Sequence, residues 1–250
     1  MATVEEYTDP FVRTFTPPPL AGAGVCELCH SWTGTRPDGS RYRLCSGCEE
    51  TVRAVARPVR LVVPVSLYVV GGQLHTVLNG YKNSPDAAAR ERLRLQVAAL
   101  AARFLRDHGE CIRRAARRDW DTLAIVPSSA SREGTHPLEQ AIRMARAHRP
   151  LYRPLLQRTE VPLDHRLADQ RGFRVAADVG GKHVLLVDDT FTTGARIQSA
   201  GSALALAGAD VVAAVVLGRV VQPSFSAEAE ALWQEQSPIP FDFARCCLEP

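Results

Sequence analysis

Two adjacent carboxylates follow an apolar strand pattern in the C-terminal half of the chain. Residues 184–196 place four apolar residues before Asp188 and Asp189, and then a hydroxyl-rich stretch that reaches Gly194. Ligands of open α/β sheets bind at the carboxyl ends of strands, and free N–H groups at the start of a following helix favour a phosphate. Carboxylates beside such a phosphate site suit a ligand that also offers sugar hydroxyls or a metal ion. An acidic cap on an ordinary strand–helix turn would give the same pattern.

Four cysteines form a second pattern near the N-terminus. Cys26-x2-Cys29 and Cys45-x2-Cys48 are separated by 15 residues. This spacing is typical of a four-thiolate zinc ribbon or treble-clef site, because a two-residue gap lets both sulfurs of a pair point at one ion. Four thiolates leave no open coordination position, so the expected zinc is structural. Four buried or redox cysteines, or His30 in place of one thiolate, remain alternatives.

Length and composition limit the classes of protein that fit. The chain has 250 residues, 46% hydrophobic residues and a net charge of +3, which argues against wholesale disorder and is too small a charge to imply nucleic acid. No apolar run approaches the roughly 20 residues of a membrane helix, and the first ten residues lack the apolar core of a secretory signal. We therefore expect a cytoplasmic protein with no membrane partner. Disulfides are unexpected there, so the three remaining cysteines are interpreted as free thiols: Cys111, Cys246 and Cys247.

Apolar patterning predicts the elements that position these residues. A strand over 182–187, a tight polar turn over 188–194, a helix over 195–207 and a strand over 210–217 form a βαβ unit with a parallel sheet. Upstream, the patterns predict a strand over 59–68 with Pro64 at an edge, its hairpin partner over 73–78, a helix over 87–108, a strand over 122–126 and a helix over 137–148. Residues 150–180 are expected to form a long loop.

Residues 184–196 resemble the phosphoribosyl-pyrophosphate (PRPP) signature of type I phosphoribosyltransferases. That signature has four apolar residues, two acidic residues, two variable residues and then Thr-Thr-Gly, and Arg196 stands where it usually closes with Thr or Ser. With a four-cysteine segment ahead of it, the chain resembles the ComF-like family, which is associated with competence and DNA uptake. The resemblance implies an α/β fold, a parallel twisted sheet flanked by helices, with a small zinc-ribbon-like module. The implied organisation is a flexible lead (1–24), a zinc module (25–52), the phosphoribosyltransferase domain (53–220) and a tail (221–250).

The resemblance also implies residue roles. Asp188 and Asp189 are the expected catalytic pair and hold the ribose hydroxyls. The expected PRPP-binding residues are that pair together with Thr190, Phe191, Thr192, Thr193, Gly194, Ala195 and Arg196. The expected pyrophosphate loop contains Ser128, Ser129, Ser131 and Arg132, for which a polar surface loop is an equal alternative. Arg158 and Arg171 lie in a weakened form of the family's flexible lid, and Tyr81-Lys82 resembles its lysine-bearing turn.

The function implied is displacement of pyrophosphate from PRPP by a nitrogen base or amine acceptor, with Mg²⁺ bound alongside PRPP. Both the pyrophosphate loop and the lid depart from the family pattern, so a non-catalytic accessory in DNA uptake is the alternative. Such an accessory would bind PRPP or single-stranded DNA, with the zinc module docking a competence-protein partner. Residues 103–118 are the best basic stretch for DNA, although a solvated arginine-rich helix end explains them as well. A homodimer is left open.

Overall fold

A four-stranded parallel sheet forms the centre of the protein. The computed structural model describes residues 3–128, 135–163 and 166–249. The strands of this sheet, in spatial order, are β1 (Val62–Tyr68), β6 (Asp210–Val220), β5 (His183–Phe191) and β2 (Thr122–Ile125). The α/β class with a parallel sheet is therefore confirmed. Pro64 lies on β1, which is an edge strand, where a missing N–H costs no ladder hydrogen bond on the open side.

Helices cover both faces of the sheet. They are α1 (Val4–Thr8), α2 (Ser46–Arg53), α3 (Gln73–Asn83), α4 (Ala87–Ala116), α5 (Pro137–Met144), α6 (Ala195–Leu206) and α7 (Ala227–Gln236). One buried cluster joins the sheet to α3, α4 and α5, and a second joins its other face to α6 and the cysteine quartet. In the part of the chain that the structure describes, no helix has both the length and the apolar character needed to span a membrane.

The predicted hairpin partner over 73–78 is wrong, because the segment is the first half of helix α3. Its buried side chains are Leu74, Val77, Leu78 and Tyr81, which are spaced as one face of a helix. Gly71 adopts a left-handed conformation with φ +87° and turns the chain directly from β1 into this helix. The correction matters for function, since the last turn of α3 carries Tyr81 and Lys82.

Three other predicted segments differ in detail. Helix α4 continues past the predicted end at 108 and stops at Ala116, where Arg117 adopts a left-handed conformation. The expected long loop over 150–180 contains a short antiparallel pair, β3 (Leu156–Arg158) and β4 (Phe173–Val175). The helix predicted over 137–148 is shorter than expected, because α5 ends at Met144.

Both chain termini pack against the central domain. Where a flexible lead is predicted, the structure has α1 followed by a 3-10 helix (Asp9–Thr14). The Phe15 ring then lies edge-on to the Phe241 ring, with their centroids 5.3 Å apart. Phe241 comes from the predicted tail, so the two ends of the chain share one buried cluster with the sheet.

Candidate functional site

The acidic pair lies inside strand β5 rather than in a turn. The predicted turn over 188–194 is therefore too long, because β5 stays paired with β6 through Phe191. Asp188 is in register with Val216, and Phe191 with Arg219. Both carboxylates are about 1% exposed. The turn itself spans only three residues before α6 begins at Ala195.

Each carboxylate has a separate cationic partner. The Tyr81 hydroxyl donates a hydrogen bond to Asp189, and Lys82 Nζ forms an ion pair with the same oxygen of Asp189. Asp188 Oδ1 accepts a hydrogen bond from the Asp189 amide at 2.9 Å and lies 3.6 Å from Arg196 Nη2. Lys82 comes from α3 and Arg196 from the first turn of α6. The acidic pair thus joins two helices on the two faces of the sheet.

These environments shift the pKa values of the two aspartates in opposite directions. Burial raises the pKa of Asp188 to about 6, against the opposing effect of the Arg196 charge. Burial acts on Asp189 in the same direction, but the charge and hydrogen bond of Lys82 and the Tyr81 hydroxyl outweigh it and lower the pKa of Asp189. Burial and the neighbouring carboxylate hold the pKa of Tyr81 well above its ordinary value. Asp189 is therefore the permanent anion of the pair, while Asp188 titrates near neutrality.

One oxygen of each carboxylate has no hydrogen-bond partner. Among the described residues, nothing donates to Asp188 Oδ2 or Asp189 Oδ1, and both atoms are buried. Buried polar atoms in folded proteins are nearly always paired, and each exception needs an explanation. Two unpaired acceptors on adjacent residues suit a ligand with two adjacent hydroxyl donors.

The start of helix α6 is open to an anion. Gly194 is the N-cap with φ +91° and has no side chain to cap the helix, and the Ala195 amide donates a long hydrogen bond to the preceding residue, Thr193. A Cβ on Gly194 would lie 2.6 Å from Phe191 Cζ, so both the backbone conformation and the space require glycine. Thr193 Oγ1 lies 3.4 Å from the Ala195 amide. The first turn contains no acidic residue, which leaves its N–H groups and dipole available to a phosphate.

A cavity of about 300 Å³ lies over this turn, which is the small end of the range for small-molecule sites. Its walls come from β5, from the turn and the start of α6, and from α3. The lining residues are Tyr68, His75, Leu78, Asn79, Lys82, Asn83, Leu163 and Asp188 to Ile197 without interruption. All predicted PRPP-binding residues, Asp188 to Arg196, are therefore brought together at one cavity.

The predicted pyrophosphate loop is described only at its first residue. Ser129, Ser131 and Arg132 lie outside the described residues. The Ser128 amide donates to His136 Nε2 at 3.0 Å. Just before it, the Pro127 carbonyl accepts a hydrogen bond from Arg196 Nη2 at 3.2 Å. The carboxyl end of β2 thus lies beside the segment from Asp188 to Gly194, which we call the acidic turn.

The two predicted lid arginines do not line the cavity in the described structure. Arg158 Nη1 donates to the Gly172 carbonyl at 2.7 Å, and its guanidinium lies over the Phe173 ring. Arg171 is an exposed side chain paired with Asp169 at 2.7 Å. Both arginines belong to the β3–β4 region. From the segment between these two strands, Leu163 lines the cavity.

The four cysteines converge on one buried point. Their sulfur atoms all lie within 4.8 Å of one another. Cys29 Sγ and Cys45 Sγ are 3.8 Å apart, the edge of a tetrahedron with metal–sulfur bonds of about 2.3 Å. His30 Nδ1 instead pairs with the Pro19 carbonyl at 2.9 Å. The donor set and its burial fit a structural zinc ion with four thiolate ligands.

The second cysteine pair lies at a helix start, with Cys45 as the N-cap of α2 and Cys48 in its first turn. The dipole at the N-terminus of this helix favours thiolates. Helix α2 also touches the acidic turn. A Cβ on Gly47 would lie 3.6 Å from the Thr193 Cα, and Thr51 Oγ1 lies 3.4 Å from the Thr193 carbonyl oxygen.

Arg219 is the functional residue that the sequence analysis missed. It is 5% exposed on β6, and its guanidinium lies over the Phe191 ring. Burial lowers the pKa of Arg219, but the nearby sulfur atoms of Cys29, Cys45 and Cys48 outweigh it and raise that pKa. A charged residue directly after a long apolar strand run was the available signal. Tyr68, whose hydroxyl hydrogen-bonds Thr190, was missed for the opposite reason, since one tyrosine in a strand is ordinary.

The basic stretch at the end of α4 is largely engaged with acidic side chains. Arg113 pairs with Glu110 at 3.0 Å and Arg118 with Asp210 at 3.1 Å. Arg114 forms an ion pair with Glu249. These contacts favour the solvated helix end over a DNA-binding surface.

Comparison with models of known protein families gives no match for this chain, and comparison with curated proteins gives none either. The resemblance to phosphoribosyltransferases therefore rests on the residues of the turn and on its geometry.

Proposed function

We propose that the acidic turn binds PRPP and that the protein is a phosphoribosyltransferase-like enzyme with a nitrogen acceptor. The observation that carries the proposal is the pair of buried, unpaired oxygens, Asp188 Oδ2 and Asp189 Oδ1, directly before an open helix N-terminus. A ribose 5-phosphate unit offers adjacent hydroxyl donors and a phosphate at a fixed separation.

The ribose end of the ligand would meet the acidic pair. Its two hydroxyls would donate to the free oxygens of Asp188 and Asp189, which relieves the cost of burying them unpaired. Lys82 now covers Asp189 and retains 18% exposure, so this long side chain can shift as the ligand enters. Asp189 is the fixed anion of the site, and a negative charge beside the ribose stabilises positive charge that develops on its ring.

The 5-phosphate would occupy the start of α6. Backbone N–H groups from Ala195 onward, the helix dipole and the hydroxyls of Thr192 and Thr193 supply donors there. Arg196 stands where the family pattern has Thr or Ser, and it brings a cation rather than a hydroxyl. Its contact with Asp188 keeps that cation at the edge of the phosphate position.

The pyrophosphate end would lie toward α3 and the end of β2. Lys82 of α3 lines this part of the cavity, and Ser128 follows the end of β2 in the sequence. The two unpaired carboxylate oxygens also fit the hydration shell of a Mg²⁺ ion, which usually keeps waters and substrate oxygens as ligands. When bound with PRPP, the ion would supply positive charge to the leaving pyrophosphate.

The reaction would be a substitution at the anomeric carbon. The bond from that carbon to the pyrophosphate oxygen breaks, and pyrophosphate leaves with the electron pair. The bond to the acceptor nitrogen forms, and that nitrogen gives up a proton to solvent or to pyrophosphate. The protein contributes position and electrostatics, as expected for a positively charged transition state.

We further propose that the cysteine quartet carries a structural zinc ion that supports the turn. Helix α2 packs on Thr193, and the charge of Arg219 couples Cys29 to Phe191. A segment this short builds little core of its own, so metal ligation would supply much of its folding free energy.

Release of pyrophosphate is the direct test of the enzymatic proposal. The protein is incubated with PRPP, Mg²⁺ and a panel of purine, pyrimidine and amine acceptors, and pyrophosphate is measured. We expect release with at least one acceptor, and loss of release in Asp188→Asn/Asp189→Asn. Asp210→Asn, at the amino end of β6, is the matched control and should keep full activity. PRPP binding without release for every acceptor would favour the non-catalytic alternative.

A further inference from the structure

A second group of metal-type ligands lies far from the quartet, where helix α4 meets the C-terminal segment. The donor atoms of His108, Cys111 and Cys246 all lie within 4.8 Å of one another. Glu249 lies beside this group rather than within it, with its Oε2 3.0 Å from Cys111 Sγ. His108 and Cys111 are one turn apart on α4, and a backbone bridge pairs Cys246 with Glu249, so three donors meet at one point and a carboxylate lies next to them.

The histidine is oriented to offer a lone pair to this point. Its Nε2 lies 2.7 Å from the Phe243 carbonyl oxygen, which can only accept, so this nitrogen carries the proton. Its Nδ1 is then unprotonated and lies 3.5 Å from Cys111 Sγ. Metal-bound histidines usually donate their other N–H to a carbonyl or a carboxylate in this way. The imidazole is 3% exposed and packs at a tilt of 45° against the Phe104 ring, with the ring centroids 4.9 Å apart.

The Glu249 carboxylate, like the His108 ring, is oriented by a contact on its other side. Arg114 forms an ion pair with Glu249 Oε1, which leaves Oε2 directed at Cys111. The arginine also offsets negative charge, since two thiolates, one carboxylate and a divalent ion sum to −1. Cys247, the neighbour of Cys246, points instead into the apolar core and is 2% exposed.

We propose that these side chains form a second zinc site. Its ligands are His108 Nδ1, Cys111 Sγ, Cys246 Sγ and Glu249 Oε2. Two sulfurs, one imidazole and one carboxylate form a donor set that Zn²⁺ accepts. The 3.5 Å between His108 Nδ1 and Cys111 Sγ matches the edge of a tetrahedron with bonds of about 2.0–2.3 Å, and the Glu249 carboxylate would shift away from Cys111 to take the fourth position. With all four positions filled by protein, the site would be structural. It fastens the C-terminal segment to α4 across more than 130 residues of chain.

Metal content and metal spectroscopy test the site on the full-length protein. Reduced protein is loaded with excess zinc, separated from free metal and analysed. We expect two zinc ions per chain, and one in Cys111→Ser/Cys246→Ser. Cys247→Ala is the matched control and should keep two. In cadmium-loaded protein, the ¹¹³Cd spectrum should show two signals, and the double variant should lose one of them while the quartet signal stays.

A milder variant keeps the test decisive if the double variant does not fold. Glu249→Ala lies at the end of the chain and should weaken one of the two zinc sites by about tenfold or more in competition with a chromophoric chelator. The proposal is overturned if reduced wild-type protein holds only the quartet ion under excess zinc. It is also overturned if Cys111 and Cys246 are found joined as a disulfide in freshly purified protein, or if Glu249→Ala leaves both zinc affinities unchanged.

Discussion

The guanidinium carbon of Arg219 lies 5.3 Å from the centre of the Phe191 ring. The positive charge of the same guanidinium interacts with the sulfur atoms of the quartet, so one buried side chain is coupled to both the cysteine quartet and the last residue of β5. The Phe191 ring in turn lies close to Gly194, the last residue of the turn and the N-cap of α6. The metal module and the proposed ligand site are thus linked through Arg219 and Phe191.

Removing the charge of Arg219 should weaken zinc binding at the quartet. A positive charge beside a metal-bound thiolate stabilises it, and loss of such a supporting interaction typically weakens metal affinity by about 10- to 100-fold. We expect that loss in Arg219→Met, measured by competition with a chromophoric chelator. Arg118→Met, an exposed arginine on the same protein, is the control and should bind zinc as wild type does. Equal affinity in both variants would show that Arg219 does not support the quartet.

Gly194 should tolerate alanine much less well than Gly71 does. Both have a left-handed backbone, with φ +91° and +87°, so both variants lose about 1–2 kcal/mol from that conformation. Only at Gly194 would the new methyl group also meet the Phe191 ring, whereas Gly71 has open space. Displacing a packed ring adds about 1–3 kcal/mol. Urea unfolding of the two variants measures the difference, and equal losses would contradict the close contact with Phe191.

The C-terminal half of the fold was predictable because its signals are local. The strand, turn, helix and strand around Asp188 are contiguous in the sequence, and each has its own apolar run or glycine. Segment 73–78 was predicted wrongly because Gly71-Gly72 and a short run with Val77 suggest a hairpin. The helical spacing of Leu74, Val77, Leu78 and Tyr81 was present, but Tyr81 lies beyond the predicted strand.

The partners of the acidic pair could not be predicted from local patterns. Tyr81 and Asp189 are 108 residues apart, and only the assembled sheet brings α3 over the end of β5. Burial of Phe241 and the approach of Cys246 to His108 depend on the same long-range packing. A sequence pattern therefore predicted the acidic pair at the end of a strand, but not the contacts that Tyr81 and Lys82 make with Asp189.

Lys82→Met should destabilise the fold. Asp189 is fully buried, and removing one partner of a buried ion pair leaves an uncompensated charge that costs about 3 kcal/mol or more. Lys182 is the only other lysine of the chain, so Lys182→Met is a matched control that should change stability little. Denaturant unfolding of both variants checks this. A surface ion pair contributes at most about 1 kcal/mol. If Lys82→Met lost less free energy of unfolding than this, the result would contradict a buried ion pair.

Stability should depend on pH through Asp188. Because its pKa rises from 3.8 to about 6 on folding, the folded state binds more protons than the unfolded state between these values. The contribution of Asp188 is therefore fully present below pH 3.8 and is lost as pH rises through 6. The expected loss is on the order of 3 kcal/mol.

The matched measurement is urea unfolding of wild type and Asp188→Asn from pH 4 to pH 7. Asparagine does not titrate, so the stability of wild type relative to Asp188→Asn should fall across this range. Groups that titrate in both proteins cancel in the difference. A constant or rising difference would contradict the assignment of a raised pKa to Asp188.

Calorimetric titration with PRPP and Mg²⁺ tests the central claim most directly. We predict saturable binding at one site per chain in wild type and in Asp210→Asn. Asp188→Asn/Asp189→Asn should retain the fold, as judged by circular dichroism, and lose measurable binding, because the two oxygens that accept from the ribose are replaced. Unchanged PRPP affinity in the folded double variant would contradict the claim that this turn is the ligand site.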